Sequence, residues 1–176
     1  MLICSRTFSA AARWIELMAQ LEIAAEKHTA KNIPQVLLVR VGEILACIDL
    51  SSVERTFSLV ALQAMPGSAP YMAGIMNFAG NSVPVIDLAL RLGLPSSPYK
   101  LDTPIVVCAH EQQRVGLIVM DIIGIQNLHE HEQQLTRELG RYGAAFRASV
   151  HTQSGLALLL DSAWLIQSDL YQDSLV

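Results

Sequence analysis

Residues 66–94, PGSAPYMAGIMNFAGNSVPVIDLALRLGL, decide how this chain is read. They hold two turn clusters, a pair of glycines (Gly74 and Gly80) with Asn77 between them, and an apolar run closed by Asp87. Glycine takes positive φ or admits a close neighbour, and both suit a tight strand transition. Asn77 has the side chain to bond backbone across a turn. A short helix is predicted from Asp87 to Leu92, with Asp87 as its cap and Gly93 as its stop. The stretch carries no metal set, phosphate loop or nucleophile elbow. Backbone punctuation and apolar surface suit a module that binds other proteins.

On either side of this stretch the hydrophobic period stays short. Val36–Val41 and Ile44–Leu50 flank Gly42-Glu43, a hairpin pattern. Further strands are expected at 59–64, 72–78, 82–87, 104–109, 114–120, 122–128, 146–151 and 155–160. Many short strands separated by Gly, Pro or Asn predict an all-β sandwich or barrel. Residues 95–103, PSSPYKLDT, form the clear loop and the expected seam between two lobes. The polar residues 129–143 read as a helix or a mobile loop. A last helix is expected from about Asp161 to Leu170. At the other end, Trp14, Met18, Leu21 and Ala25 recur at helical spacing within 8–28, and Pro34 follows as a stop. That helix docks on its own domain or engages a partner, the remaining alternative being a disordered or mis-started N-terminus. The division expected is an N-terminal helical extension over 1–34 and one domain over 35–170.

Bulk properties narrow the function classes. Hydrophobic residues make up 52% of the 176 and charged residues only 16%, against about 25% charged in an average domain. Some apolar surface must stay exposed, and large exposed patches mark interaction sites. A formal net charge of −4 argues against nucleic-acid binding, which needs a basic footprint. The segment most like a membrane span, 8–25, carries Arg13, Glu16, Gln20 and Glu22, too polar for hydrocarbon. It is a poor signal peptide as well. The expected setting is the cytoplasm, with no membrane insertion. Cys4, Cys47 and Cys108 have no motif spacing and read as packed, reduced thiols.

Two constellations have chemical potential. His129 and His131 alternate with Glu130 and Glu132, but no third ligand has motif spacing, so a solvated loop is expected and no metal. Asp49, Asp87, Asp121 and Asp161 each close or adjoin an apolar run. Two carboxylates meeting in a cleft would do acid–base work; strand ends and helix caps want aspartate too. No cofactor is implied.

The central stretch also resembles a known signature. Ala69-Pro70-Tyr71, then Gly74-Ile75-Met76-Asn77-Phe78-Ala79-Gly80, Val83-Pro84-Val85-Ile86-Asp87-Leu88 and Arg91-Leu92-Gly93-Leu94 resemble the pattern of the CheW domain family, the coupling proteins of bacterial chemosensory arrays. IDLSSVE at 48–54, VGLIV at 115–119 and GLALLLD at 155–161 extend the resemblance over roughly 35–168. It implies two fused five-stranded β-barrels sharing a core and no catalytic activity. It implies a protein joining the cytoplasmic tip of a chemoreceptor to the regulatory domain of a CheA-type histidine kinase, in a chemotaxis or twitching-type system.

Carried over by position, the resemblance places Val53 at a receptor contact and Gly74, Asn77 and Gly80 at their motif counterparts. Three positions depart from the pattern. Ala79 stands where the motif has arginine, Arg55 where an acidic residue is common, and Met120 where aspartate is usual. Changes of this kind alter partner choice more than fold. The expected partner-binding set is therefore Val53, Arg55, Gly74, Asn77, Ala79, Gly80 and Met120. The alternatives are a β-barrel interaction domain that no longer couples and a small enzyme using the strand-end aspartates.

Overall fold

In a computed structural model of the chain, residues 34–128, 133–135 and 144–166 are described. The helix expected over 8–28, Cys4 and the histidines at 129 and 131 lie outside them. Eleven strands are described: β1 (Gln35–Val41), β2 (Ile44–Asp49), β3 (Val53–Ser58), β4 (Met72–Phe78), β5 (Asn81–Asp87), β6 (Pro104–His110), β7 (Gln113–Ile118), β8 (Asp121–Asn127), β9 (Gln133–Leu135), β10 (Phe146–Thr152) and β11 (Gly155–Leu160). Two short helices, α1 (Leu88–Arg91) and α2 (Ser162–Ile166), join them.

The strands form two sheets. One runs β8-β1-β2-β11-β10-β9, the other β3-β6-β7-β5-β4. Each holds a single parallel pair, β2 with β11 and β5 with β7, among antiparallel ladders. The two-lobed β architecture is the expected one, but the first sheet has a sixth short strand and neither strand order closes into a ring. The second lobe comes near closure by other means. Past β3 the chain returns so that Gln63 exchanges both backbone hydrogen bonds with Ile75 of β4, at 2.8 and 2.9 Å. The rings of Phe57 on β3 and Phe78 on β4 stack with centroids 6.1 Å apart.

Three cores hold this arrangement. Val36, Leu38, Cys47, Ala148, Val150 and Leu159 fill the first lobe. Met76, Val83, Val85, Ile105, Val107 and Ile118 fill the second. The largest cluster is shared: Val39, Val41 and Ile48 from the first sheet meet Val106, Leu117 and Ile86 from the second, with Leu88 of α1 and Leu165 and Ile166 of α2. The strands read as near-continuous apolar runs because the segments facing this shared core are covered on both sides.

Several expectations need correction. Residues 59–64 are not a strand; the strand lies just before, at Val53–Ser58. Its exposed, polar sequence VERTFS gives no hydrophobic signal, since it is an outer strand of its sheet. The 95–103 loop is not the seam, because it lies between α1 and β6 inside the second lobe. The chain passes between lobes at the 3-10 turn Leu50–Ser52 and again between β7 and β8. A polar loop reports exposure, whereas lobe membership depends on which distant strand is paired. Of the polar stretch 129–143, Gln133–Leu135 is a strand on β10. Of the closing helix, Ser162–Ile166 is described.

Candidate functional site

The seven positions singled out from the sequence fall in three places. Asn77, Ala79 and Gly80 build the tip of the β4–β5 hairpin. Phe78 pairs with Asn81, which leaves Ala79 and Gly80 as a two-residue turn. Their φ angles are +51 and +81, the geometry of a turn that matches strand twist and favours Asn-Gly. Asn77 Oδ1 accepts a hydrogen bond from the Gly80 N–H at 3.1 Å, and Asn81 Nδ2 donates to the Ala79 carbonyl at 3.3 Å. The tip is exposed. Ala79 thus holds a left-handed conformation and points a methyl group outward where a long cation would extend.

Gly74 lies at a register shift in the same hairpin. Its φ is +146, and a Cβ there would stand 2.6 Å from the Gln63 carbonyl oxygen and 3.1 Å from Leu62 Cβ. Its role is to let the chain after β3 press onto β4. Gly74 is therefore buried support for the hairpin, not a contact surface.

Val53 and Arg55 open β3, on the opposite edge strand of that sheet from β4. Val53 is half-buried against the shared core and pairs with Cys108. Arg55 is exposed. Beside it, Arg114 clasps Glu54 with two hydrogen bonds of 2.8 and 2.9 Å, and the guanidinium holds the Glu54 carboxyl below the usual carboxylate range. Both partners are well exposed, so the pair shapes charge rather than stability.

Met120 is at the lobe junction. Its N–H donates to the Arg40 carbonyl at 2.9 Å, and its side chain is 45% exposed. It borders a cavity of about 530 Å3 lined by Arg40 and Val41 of the first lobe and Asp87, Tyr99 and Thr103 of the second. Immediately after it, β8 is the outermost strand described in its sheet, and it shows Ile123 (37% exposed) and Ile125 (57%) to solvent. The sequence reading missed these two. The strand expected at 122–128 is found, but the apolar run Ile122-Ile123-Gly124-Ile125 does not say which residues meet solvent; the strand's place in the sheet exposes alternate ones. The signal was available in the 16% charge content, which required apolar surface somewhere without saying where.

Three of the four strand-end aspartates, Asp49, Asp87 and Asp161, are engaged in structure. Asp87 is buried and caps α1, its Oδ1 accepting from Leu90 N–H at 3.0 Å. Its Oδ2 accepts from Tyr99 Oη at 2.7 Å and from Ser96 Oγ, which ties the 95–103 loop to the helix start. Burial and the Asp87 carboxylate push the Tyr99 hydroxyl up to about 12. Asp161 caps α2, accepting from Trp164 N–H at 3.0 Å. Asp49 is ion-paired with Arg147, and Asp121 is exposed at the start of β8.

A family model described as the CheW-like domain matches residues 35–170. The chain belongs to the CheW-like domain family. It is 25% identical over 133 residues to a chemotaxis protein CheW of Thermotoga maritima, covering 76% of this chain and 87% of that protein. It is 29% identical over 87 residues to Protein PilI of Pseudomonas aeruginosa, with 49% and 48% covered. The fold matches the crystal structure of the scaffolding protein TtCheW from Thermoanaerobacter tengcongensis with a TM-score of 0.72 at 20% identity, over 80% of this chain and 92% of that one. This chain is accordingly a coupling adaptor of chemosensory signalling, built on the two-lobed β fold of the CheW family.

Proposed function

We propose that the chain acts without catalysis in the cytoplasm, joining the cytoplasmic tip of a chemoreceptor to the regulatory domain of a CheA-type histidine kinase. The observation that carries this reading is the presence of two exposed surfaces on different lobes of a body with a shared core. One is the β4–β5 tip on the second lobe. The other is the apolar strip of Met120, Ile123 and Ile125 where the first lobe begins again; the half-buried Val53 and exposed Arg55 form a third, separate place on β3 of the second lobe. An apolar strip on a sheet edge suits the apolar face of a helical receptor tip. A hairpin tip rimmed by asparagines suits a partner that reads shape and polar groups. No helix among the described residues is long and apolar enough to cross a membrane, which fits a protein brought to the array by its partners.

The test is a pair of titrations, with a receptor cytoplasmic fragment and with a kinase regulatory domain from the same gene neighbourhood. Ile125→Lys should weaken the receptor titration and leave the kinase titration unchanged. Binding of neither partner by the wild-type chain would end the coupling reading and leave an interaction domain that has lost its array role.

A further inference from the structure

The parallel strand pair in each sheet ends at a cavity. In the second lobe the pair is β5 with β7, and β5 closes on Asp87, the cap of α1. In the first it is β11 with β2, and β11 runs into Asp161, the cap of α2. The turns beside the two cavities match as well. Gly42, after β1, has φ +57 and lines one; Glu111, after β6, has φ +55 and lines the other. The cavity beyond β2 and β11 has a volume of about 400 Å3 and is also lined by Asp49, Arg147 and Asp161. The one beyond β5 and β7 is the 530 Å3 cavity beside Met120. The two hold equivalent places in the two lobes and differ in what their charges do.

In the smaller cavity the polar groups are spent on each other. Asp49 is ion-paired with Arg147, and Ser162 Oγ donates to Ser52 Oγ at 3.3 Å. In the larger one two opposite charges remain open. Arg40 and Asp121 stand directly opposite one another in the β1–β8 ladder, where Cβ atoms are about 5 Å apart. Both line the cavity, yet neither side chain makes a hydrogen bond or ion pair among the described residues. Asp87, in contrast, is used by Leu90, Tyr99 and Ser96, which fixes the 95–103 loop as one wall. Much of the remaining lining is apolar, with Val41, Pro104, Ile118 and Val119.

We propose that this cavity binds a free α-amino acid with an apolar side chain. Its carboxylate pairs with the Arg40 guanidinium, whose planar fork suits a carboxylate. Its ammonium pairs with Asp121, and its side chain lies on Val41, Ile118 and Val119. A zwitterion satisfies both charges at once, whereas a simple acid or amine leaves one without a partner. Lys100 and Asp102, on the exposed rim, add one charge of each sign and leave that balance unchanged. The volume lies in the range of roughly 300–1,000 Å3 usual for small-molecule sites. The inference needs no partner protein and stands apart from the coupling reading.

The test is a titration of the full chain with L-leucine, L-valine and L-methionine in turn, followed by amide NMR shifts. At least one should saturate with a Kd of about 1 mM or tighter, moving the amides of Met120, Asp121 and Thr103. For that amino acid, the amide, which lacks the carboxylate, and the deaminated acid, which lacks the ammonium, should each bind about tenfold more weakly, the worth of one charged hydrogen bond. Arg40→Gln and Asp121→Asn should each weaken binding by a similar factor, and Arg147→Gln, in the other cavity, should leave it unchanged. If one of these variants does not fold, the other and the two analogues decide. No saturating shift with any of the three amino acids would overturn the proposal. So would an analogue that binds as tightly as its amino acid, an unaltered affinity in a folded Arg40→Gln or Asp121→Asn chain, or an equal loss in Arg147→Gln.

Discussion

Replacing Gly74 by alanine is the sharpest local test of the fold. The added Cβ would sit 2.6 Å from the Gln63 carbonyl oxygen, a backbone atom that cannot rotate away. The chain at Leu62-Gln63 must retreat from β4, which breaks the two Gln63–Ile75 hydrogen bonds. Those contribute about 1 kcal/mol each. Holding a side-chain-bearing residue at φ +146 adds roughly 1–3 kcal/mol. The sum is about 3–5 kcal/mol, or roughly a 10 °C fall in Tm for a domain of this size. Gly80→Ala is the matched control. Gly80 also has positive φ, +81, but nothing lies within 4 Å of its Cβ position, so only the backbone cost of about 1–2 kcal/mol applies. Thermal melts followed by circular dichroism compare the two. If Gly74→Ala melts together with Gly80→Ala, the close approach of Gln63 is not what the glycine serves, and the account of how the second lobe closes fails.

Other outcomes are expected from the same geometry. Ala79→Asn should raise stability by about 0.5–1 kcal/mol in denaturant melts, because asparagine tolerates the left-handed turn position better than alanine. Ala79→Arg should strengthen binding to a kinase regulatory domain of the usual family type by about ten- to a hundredfold, the worth of a charged hydrogen bond; equal affinities for parent and variant would remove position 79 from partner selection. Asp87→Ala should cost about 2–4 kcal/mol, since a helix cap is lost and the Tyr99 and Ser96 hydroxyls lose their acceptor, and limited proteolysis should then cut within 95–103. Burial pushes the thiols of Cys47 and Cys108 up from 9.0 to about 12. Their folded values lie above the unfolded ones, so this stabilisation is intact below pH 9 and is lost as pH rises toward 12. Both thiols should resist a disulfide reagent at neutral pH and react only as alkali unfolds the chain.

Much of the local structure was legible because its causes are local. The hairpin at 72–87, the Asp87 cap and the Gly93 stop follow from turn and capping chemistry that acts within four residues. The resemblance to the CheW pattern rests on that same stretch. Position 79 could be named from the pattern, yet its left-handed backbone was hidden, because alanine carries no turn signal. Strand β3 was misplaced because an exposed edge strand needs no apolar alternation and leaves none to read.

By itself, then, the sequence determined the β-rich class, the family, the order of most strands and the stretch that matters, since apolar spacing and glycine, proline and aspartate act over a few residues. Tertiary structure alone decided that the β1–β2 hairpin joins a sheet with the last four strands, β8 against β1 and β11 against β2, and not with β3, the next strand in the chain. It alone set Gly74 against Gln63, placed Arg40 opposite Asp121, and left Ile123 and Ile125 in solvent. The physical reason is that pairing between segments more than a hundred residues apart, such as Leu45 with Ala157, depends on the summed burial of the whole core. No window of sequence contains that sum, and whether an apolar residue is core or surface is settled only when the strand beside it is known.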